Sequence, residues 1–362
     1  MHDSVSTPRP PAWHASRRGV HRHAWVIAVF ALSGCGDSET NPKSDDAKHS
    51  SQGASGEPSH APLDASAPDR LGAPFHVSMK VNDVAPGAEG TRCLKVRLGN
   101  DGPVNIARIR NQLSAHTHHF VLSYVPDPSE DEAPAFDCMP FRAPLAGGPL
   151  TVTQKADEQI DMPEGVGFTL AGNQLMHLEI HFINPGTEPT DVMAEADLFP
   201  LSGDAPIQEA GFFIAGNLNI NIPAHTQAHS SGDAFAAQPA ALEGAHYYAI
   251  TGHTHRFGTS VRVGVADGQS ADTKWIYEPQ PFNWDAPQVE YLERPLQVPA
   301  GGGFHLQCTW DNPTDITIRY GESALTEMCF FWAYYYPRAA QQQVVLAGLE
   351  NSMYAKDGGM AP

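Results

Sequence analysis

The feature that most constrains this chain is period-two alternation in short runs that are cut repeatedly by Gly, Pro, Asn and Asp. In Gly303–Trp310, Phe304, Leu306, Cys308 and Trp310 take one side of an extended backbone and His305, Gln307 and Thr309 the other. Leu175–Phe182 alternates in the same way, with Met176, Leu178, Ile180 and Phe182 opposite His177, Glu179 and His181. No long amphipathic helical pattern competes from Phe75 to about Pro337, so the expected fold is all-β, two consecutive antiparallel sandwiches of jelly-roll type. A Pro/Gly/Ser cluster at 198–207 separates the two, giving an N-terminal sandwich over 74–203 and a C-terminal one over 204–345, with a tail at 346–362.

The front of the chain reads as an export signal. Arg9, Arg17, Arg18 and Arg22 precede an apolar run from Ala24 to Leu32, which leads into Leu32-Ser33-Gly34-Cys35. Small residues ahead of a cysteine after a short apolar core resemble a bacterial lipoprotein signal, so 1–35 is the expected signal and Cys35 the lipidated residue. Residues 36–73 are rich in Ser, Asp, Ala, Gly and Pro and poor in large apolar side chains, which predicts a disordered tether. The expectation is therefore an exported body in the periplasm or at the cell surface. Its membrane attachment is by lipid anchor only, since nothing beyond the signal has the 18 or more apolar residues of a spanning helix. Sec and twin-arginine export both stay open.

A formal charge of −19 argues against nucleic acid as a partner, because phosphate binding needs concentrated Lys and Arg. With Cys35 assigned to lipid, Cys93, Cys138, Cys308 and Cys329 remain, an even number that favours disulfides outside the cytoplasm. Three pairings are possible. If each sandwich closes its own loop, they are Cys93–Cys138 and Cys308–Cys329.

The chemistry is concentrated in histidine. His253 and His255, in AITGHTHRFGTS, would leave one face of a strand with Cα atoms roughly 6.6 Å apart, near enough for two imidazoles to share an ion. Met328 lies downstream in the β-like run EMCFFWAYYYP, and a thioether as third ligand favours copper over zinc. A second set comprises His116, His118 and His119 in SAHTHHFVLSY, with His177 and His181 in QLMHLEIHFINP. Adjacent residues on a regular strand point to opposite faces, so His118 and His119 can converge only at a bulge or strand end. His177 and His181 share a face but lie roughly 13 Å apart, too far to hold one ion. Spacing alone does not choose among these residues.

The segments THHFVL, LEIHF, HTHRFG and EMCFFWAYYY, in this order, resemble the copper type II ascorbate-dependent monooxygenases, the group that includes peptidylglycine α-hydroxylating and dopamine β-monooxygenases. The resemblance spans residues 75–337. It implies a first, electron-transferring copper on His118, His119 and His181, and a second, O2-activating copper on His253, His255 and Met328, with His116 and His177 as bystanders. It also implies the disulfides Cys93–Cys138 and Cys308–Cys329. The implied activity is hydroxylation of a C–H bond with O2 and ascorbate or a similar reductant as co-substrate, with two copper ions per chain; the chain is expected to be a monomer. Where the peptide-processing branch has an arginine that binds the substrate carboxylate, this chain has Thr251, and Phe330 and Trp332 replace a substrate-binding Asn and Tyr. That departure points to a small neutral or apolar substrate. An exported copper-buffering lipoprotein using the same ligands without turnover is the alternative reading.

Overall fold

The computed structural model describes residues 70–141, 148–203 and 206–347. The expected signal peptide, the lipidation at Cys35, the tether up to residue 69 and the tail from residue 348 lie outside the described residues. From Arg70 the chain is already bound to the body: Leu71 forms a bridge with Leu201, and Ser202 N donates to Arg70 O at 2.8 Å.

Among the described residues the regular structure is strand, apart from 3-10 turns at Arg70 and at Ala240–Leu242. The first ten strands are β1 (Phe75–Val84), β2 (Glu89–Arg97), β3 (Val104–Leu113), β4 (Thr117–Tyr124), β5 (Ala133–Asp137), β6 (Pro149–Thr153), β7 (Asp157–Asp161), β8 (Val166–Leu170), β9 (Leu175–Ile183) and β10 (Thr190–Pro200). Thirteen more follow: β11 (Gln208–Glu209), β12 (Gly211–Asn217), β13 (Asn221–Ile222), β14 (Thr226–Ser230), β15 (Ala234–Ala237), β16 (His246–His253), β17 (Gly258–Ala266), β18 (Lys274–Tyr277), β19 (Glu290–Gln297), β20 (Gly303–Asn312), β21 (Ile318–Arg319), β22 (Phe330–Tyr336) and β23 (Gln343–Ala347).

Four main sheets result. One runs β1-β10-β3-β8-β11 with β7 also on β3, and a second runs β5-β2-β9-β4-β6. A third runs β19-β16-β22-β12-β23, and a fourth β14-β20-β17-β18 with β15 on β20. β13 and β21 form a separate two-stranded pair. Pairing is antiparallel except for β11 with β8 and β12 with β23.

Alternation divides the buried residues into two cores. The first holds Phe120, Leu122, Met176, Leu178, Ile180 and Phe182 from the second sheet, packed with Ile106, Ile109, Val192 and Leu198 from the first. The second core contains Phe304, Leu306, Cys308 and Trp310 of β20, the side of that strand expected from its pattern. In the sheet β19-β16-β22-β12-β23 the central strands β16, β22 and β12 are buried on both faces. Phe331, Ala333 and Tyr335 face the second core, while Trp332, Tyr334 and Tyr336, with Phe212 and Ile214, belong to the first. A strand apolar on both faces, as the run FFWAYYY is, fits only such a sandwiched position.

The disulfides are Cys93–Cys138 and Cys308–Cys329, each with Cα atoms 5.9 Å apart. The first ties β2 to the segment after β5, and the second ties β20 to the residue that follows Met328.

Candidate metal centre

Two adjacent imidazoles come together through an irregular strand start. His116 takes φ 69°, in the left-handed region that an L-residue seldom visits, and the register of β4 on β9 slips between Thr117 and His119. With the alternation broken there, the His118 and His119 rings lie 5.4 Å apart, centroid to centroid. His181, paired with His119 across the β4/β9 ladder, places its ring 5.3 Å from His118 and 4.9 Å from His119. All three are buried, whereas His116 is exposed.

His177 sits apart, its ring against Phe136 at 6.5 Å. Its donor atoms group with those of Cys93 and Glu179 within 4.8 Å. The Cys93 sulfur is bonded to Cys138, so only two donors remain there and no thiolate.

The second set departs from the expected strand geometry. β16 stops at His253, and His255 lies in the following turn, closed by Gly258 N donating to His255 O at 3.0 Å. A Cβ on Gly258 would fall 1.9 Å from Thr254 Oγ1, so the turn admits only glycine there. The two rings nonetheless stand 5.2 Å apart.

Glu327 supplies what the strand does not. Its fully buried carboxylate accepts from His255 N at 2.9 Å, Phe257 N at 2.8 Å, Trp310 Nε1 at 2.8 Å and Met328 N at 3.3 Å. Burial pushes this carboxyl up to about 7, against the pull of its donors. The β16/β22 ladder pairs His253 with Phe330, and the buried Met328 lies two residues before Phe330.

The two sets adjoin. His118 lies 6.2 Å from His253 and 6.0 Å from His255, and His119 lies 6.4 Å from His253. Five histidines thus form one continuous cluster. Phe141 packs 4.8 Å from His119 and 6.4 Å from His253, Trp284 packs 5.6 Å from His118, and Asp285 Oδ1 is 3.8 Å from His118 Nδ1. Burial in this apolar shell, followed by mutual repulsion, holds His119 and His253 well below the usual imidazole range. Burial also brings His255 down to about 3 and lowers His118 in spite of Asp285. Neutral rings keep a lone pair for a metal.

Hydrogen bonds identify which nitrogen is available. His253 Nδ1 faces Gln154 Oε1 at 2.6 Å and His255 Nδ1 faces Thr326 O at 3.1 Å; both partners are acceptors, so each Nδ1 carries the proton and Nε2 the lone pair. His181 is the reverse, with Nε2 donating to Glu89 Oε1 at 3.1 Å and Nδ1 keeping the lone pair. His253 Nε2, His119 Nδ1 and both nitrogens of His118 are buried with no hydrogen-bond partner. Other buried polar atoms here also go without a partner, but these nitrogens converge in one cluster, which fits a bound metal. A nitrogen-only group beside two nitrogens and a thioether suits copper by softness.

Thr251 and Trp332 are ladder partners on the sheet that carries His253, and the Trp332 ring lies 5.7 Å from that of His253. The half-buried Phe330 leans over Gly216, where a Cβ would sit 2.4 Å from its ring. Sequence reasoning missed Glu89, Gln154, Trp284, Asp285 and Glu327. Only Glu327 left a local trace, as a carboxylate set next to Met328 at the head of an apolar run.

Residues 204–356 match the family model described as copper type II ascorbate-dependent monooxygenase, C-terminal domain. The matched segment contains His253, His255 and Met328. No curated protein matches the chain. Among solved structures, the major capsid protein P2 of bacteriophage PM2 aligns with TM-score 0.31 and 10% identity, over 72% of this chain and 97% of that one. The glycosylasparaginase PNGase F from Flavobacterium meningosepticum aligns with TM-score 0.28 and 9% identity, over 75% and 92%. Scores this low carry no argument.

Proposed function

From a chain whose residues 204–356 match a copper type II ascorbate-dependent monooxygenase domain, we propose a copper-dependent monooxygenase that hydroxylates a C–H bond of a small neutral or apolar molecule. The balanced reaction is R–H + O2 + 2 e− + 2 H+ giving R–OH + H2O, with ascorbate or a similar small reductant as electron source. The observation that carries the proposal is the set of buried, unpartnered imidazole nitrogens, His253 Nε2 within the matched segment and those of His118 and His119 packed against it.

In this reading His253, His255 and Met328 hold one copper and His118, His119 and His181 the other. Copper, when bound, supplies the one-electron redox steps and the activation of O2. The protein's part is to present the Nε2 lone pairs of His253 and His255, whose tautomers Gln154 and Thr326 fix, and to exclude water with Phe141, Trp284 and Trp332. It also sets the two ligand groups close, His118 being 6.0 Å from His255, so that an electron has little distance to cross. Thr251, Phe330 and Trp332 offer a substrate a hydroxyl, a phenyl and an indole and no charge, which favours an uncharged molecule. The organisation into sandwiches at 74–203 and 204–345, export, anchoring through Cys35 and a monomeric state complete the proposal.

The test is anaerobic loading of the full chain with copper, followed by ascorbate and isotopically labelled O2 with a panel of small molecules. Mass-spectrometric detection of one labelled oxygen in a product supports the proposal. Two bound coppers with no labelled product and no O2 uptake across the panel would favour copper buffering.

A further inference from the structure

Glu89 opens β2, far in sequence from both halves of the contact it makes. Its side chain is one-quarter exposed (24%), and its two oxygens accept three hydrogen bonds. Oε1 takes His181 Nε2 at 3.1 Å and Ala324 N at 2.8 Å, and Oε2 takes Ser323 Oγ at 2.9 Å. The turn that Glu89 grips leads directly to the other ligand group. Ser323 O accepts from Thr326 N at 2.9 Å and from Thr326 Oγ1 at 2.6 Å, Thr326 O accepts from His255 Nδ1 at 3.1 Å, and Glu327 and Met328 come next.

One unbroken chain of hydrogen bonds therefore runs from His181 through Glu89, Ser323 and Thr326 to His255. A carboxylate behind a ligating histidine ordinarily orients that one ring; here the same carboxylate also sets a turn belonging to the second ligand group.

We propose that Glu89 is a positioning residue that couples the two ligand groups: fixing His181 on a metal fixes the Glu89 carboxylate, and through it the Ser323–Met328 segment that presents His255 and Met328. The coupling rests on the copper reading of the site, and it is reciprocal, since filling either group must favour the other by the same factor. Each group is complete in its own ligands; besides the close approach of His118 to His253 and His255, this link joins the groups through the segment that carries Met328.

The experiment titrates the full chain with Cu(I) against a chromophoric chelator, in the native sequence, with the first group disabled by His118→Ala and His119→Ala, and with Glu89→Ala added to each. In the native background, disabling the first group is expected to weaken the second group's Cu(I) affinity roughly fivefold or more, the lower end of ordinary coupling. In the Glu89→Ala background the same change is expected to have a clearly smaller effect, what remains coming from the direct contact of His118 and His119 with the second group. Glu89→Ala alone is expected to weaken the first group roughly ten- to a hundredfold. Should Glu89→Ala fail to fold, Ser323→Ala, which removes the Oε2 partner together with the turn's own bond from Leu325 N, must reduce the coupling while leaving first-group affinity near native. Coupling that survives both variants undiminished, or two groups that bind Cu(I) independently in the native chain, overturns the proposal while leaving the copper reading intact. A native chain that binds no Cu(I) tightly overturns both.

Discussion

Gln154 Oε1 lies 2.6 Å from His253 Nδ1, reaching the second ligand group from the connection between β6 and β7. A side chain 99 positions upstream therefore sets the tautomer of a residue in the HTH motif. Gln154→Leu keeps similar bulk and removes the acceptor, leaving the ring free to turn. Cu(I) affinity at His253/His255/Met328 should fall roughly ten- to a hundredfold while the other group keeps its copper, as checked by chelator competition.

Glu327 satisfies four N–H donors in a site without water access. Glu327→Ala leaves them unpaired at about 1–3 kcal/mol for each donor that finds no new partner, so a loss of more than about 3 kcal/mol is expected. Chemical denaturation measures it. Glu327→Gln, which retains an acceptor oxygen, should lose less.

The disulfides should differ in their effect on metal binding. Opening Cys308–Cys329, which closes a 21-residue separation, costs about 3 kcal/mol by the loop-entropy model and frees the residue next to Met328. Opening Cys93–Cys138 frees a segment further from the ligands. Paired Cys→Ser variants, compared for copper content at equal folded fraction, should show the larger loss for Cys308/Cys329.

Two buried groups away from the ligands give opposite pH dependences. Burial lowers His177 from its ordinary 6.5 to about 4, with Lys95 adding to the effect, so its contribution to stability is full above 6.5 and lost as pH falls toward 4. Burial raises Glu158 from 4.5 to about 7, so its contribution is full below 4.5 and lost as pH rises through 7. His177→Asn should flatten the acid limb of a urea-midpoint profile, and Glu158→Gln the limb between 4.5 and 7. Swapped or unchanged limbs would show that these groups do not set them.

What the sequence made legible is what alternation encodes. β9 and β20 lie where Leu175–Phe182 and Gly303–Trp310 alternate, and their apolar sides face the two cores. The requirement that His118 and His119 need an irregular backbone is met by the slip beside His116. The HTH spacing was legible as proximity and misread as strand, because a turn closed by Gly258 brings the rings together as well as a pleat does. Gln154, Glu89 and Asp285 were not legible, since each acts on a histidine 92 to 167 positions away and no local period reports such a contact. The same holds for the adjacency of the two groups, which depends on how sheets pack rather than on how strands repeat.

The most direct test of the account is the copper-edge X-ray absorption of the full chain, loaded with copper and reduced by ascorbate, beside that of Met328→Ala. The account predicts a sulfur scatterer on one of two coppers in the native chain. In Met328→Ala it predicts loss of that sulfur and a fall in O2-dependent hydroxylation beyond the roughly 10²–10⁴-fold typical of losing one acid–base group, with copper retained on His118, His119 and His181. A native chain with no sulfur on copper, or a Met328→Ala variant that keeps near-native turnover, would contradict it.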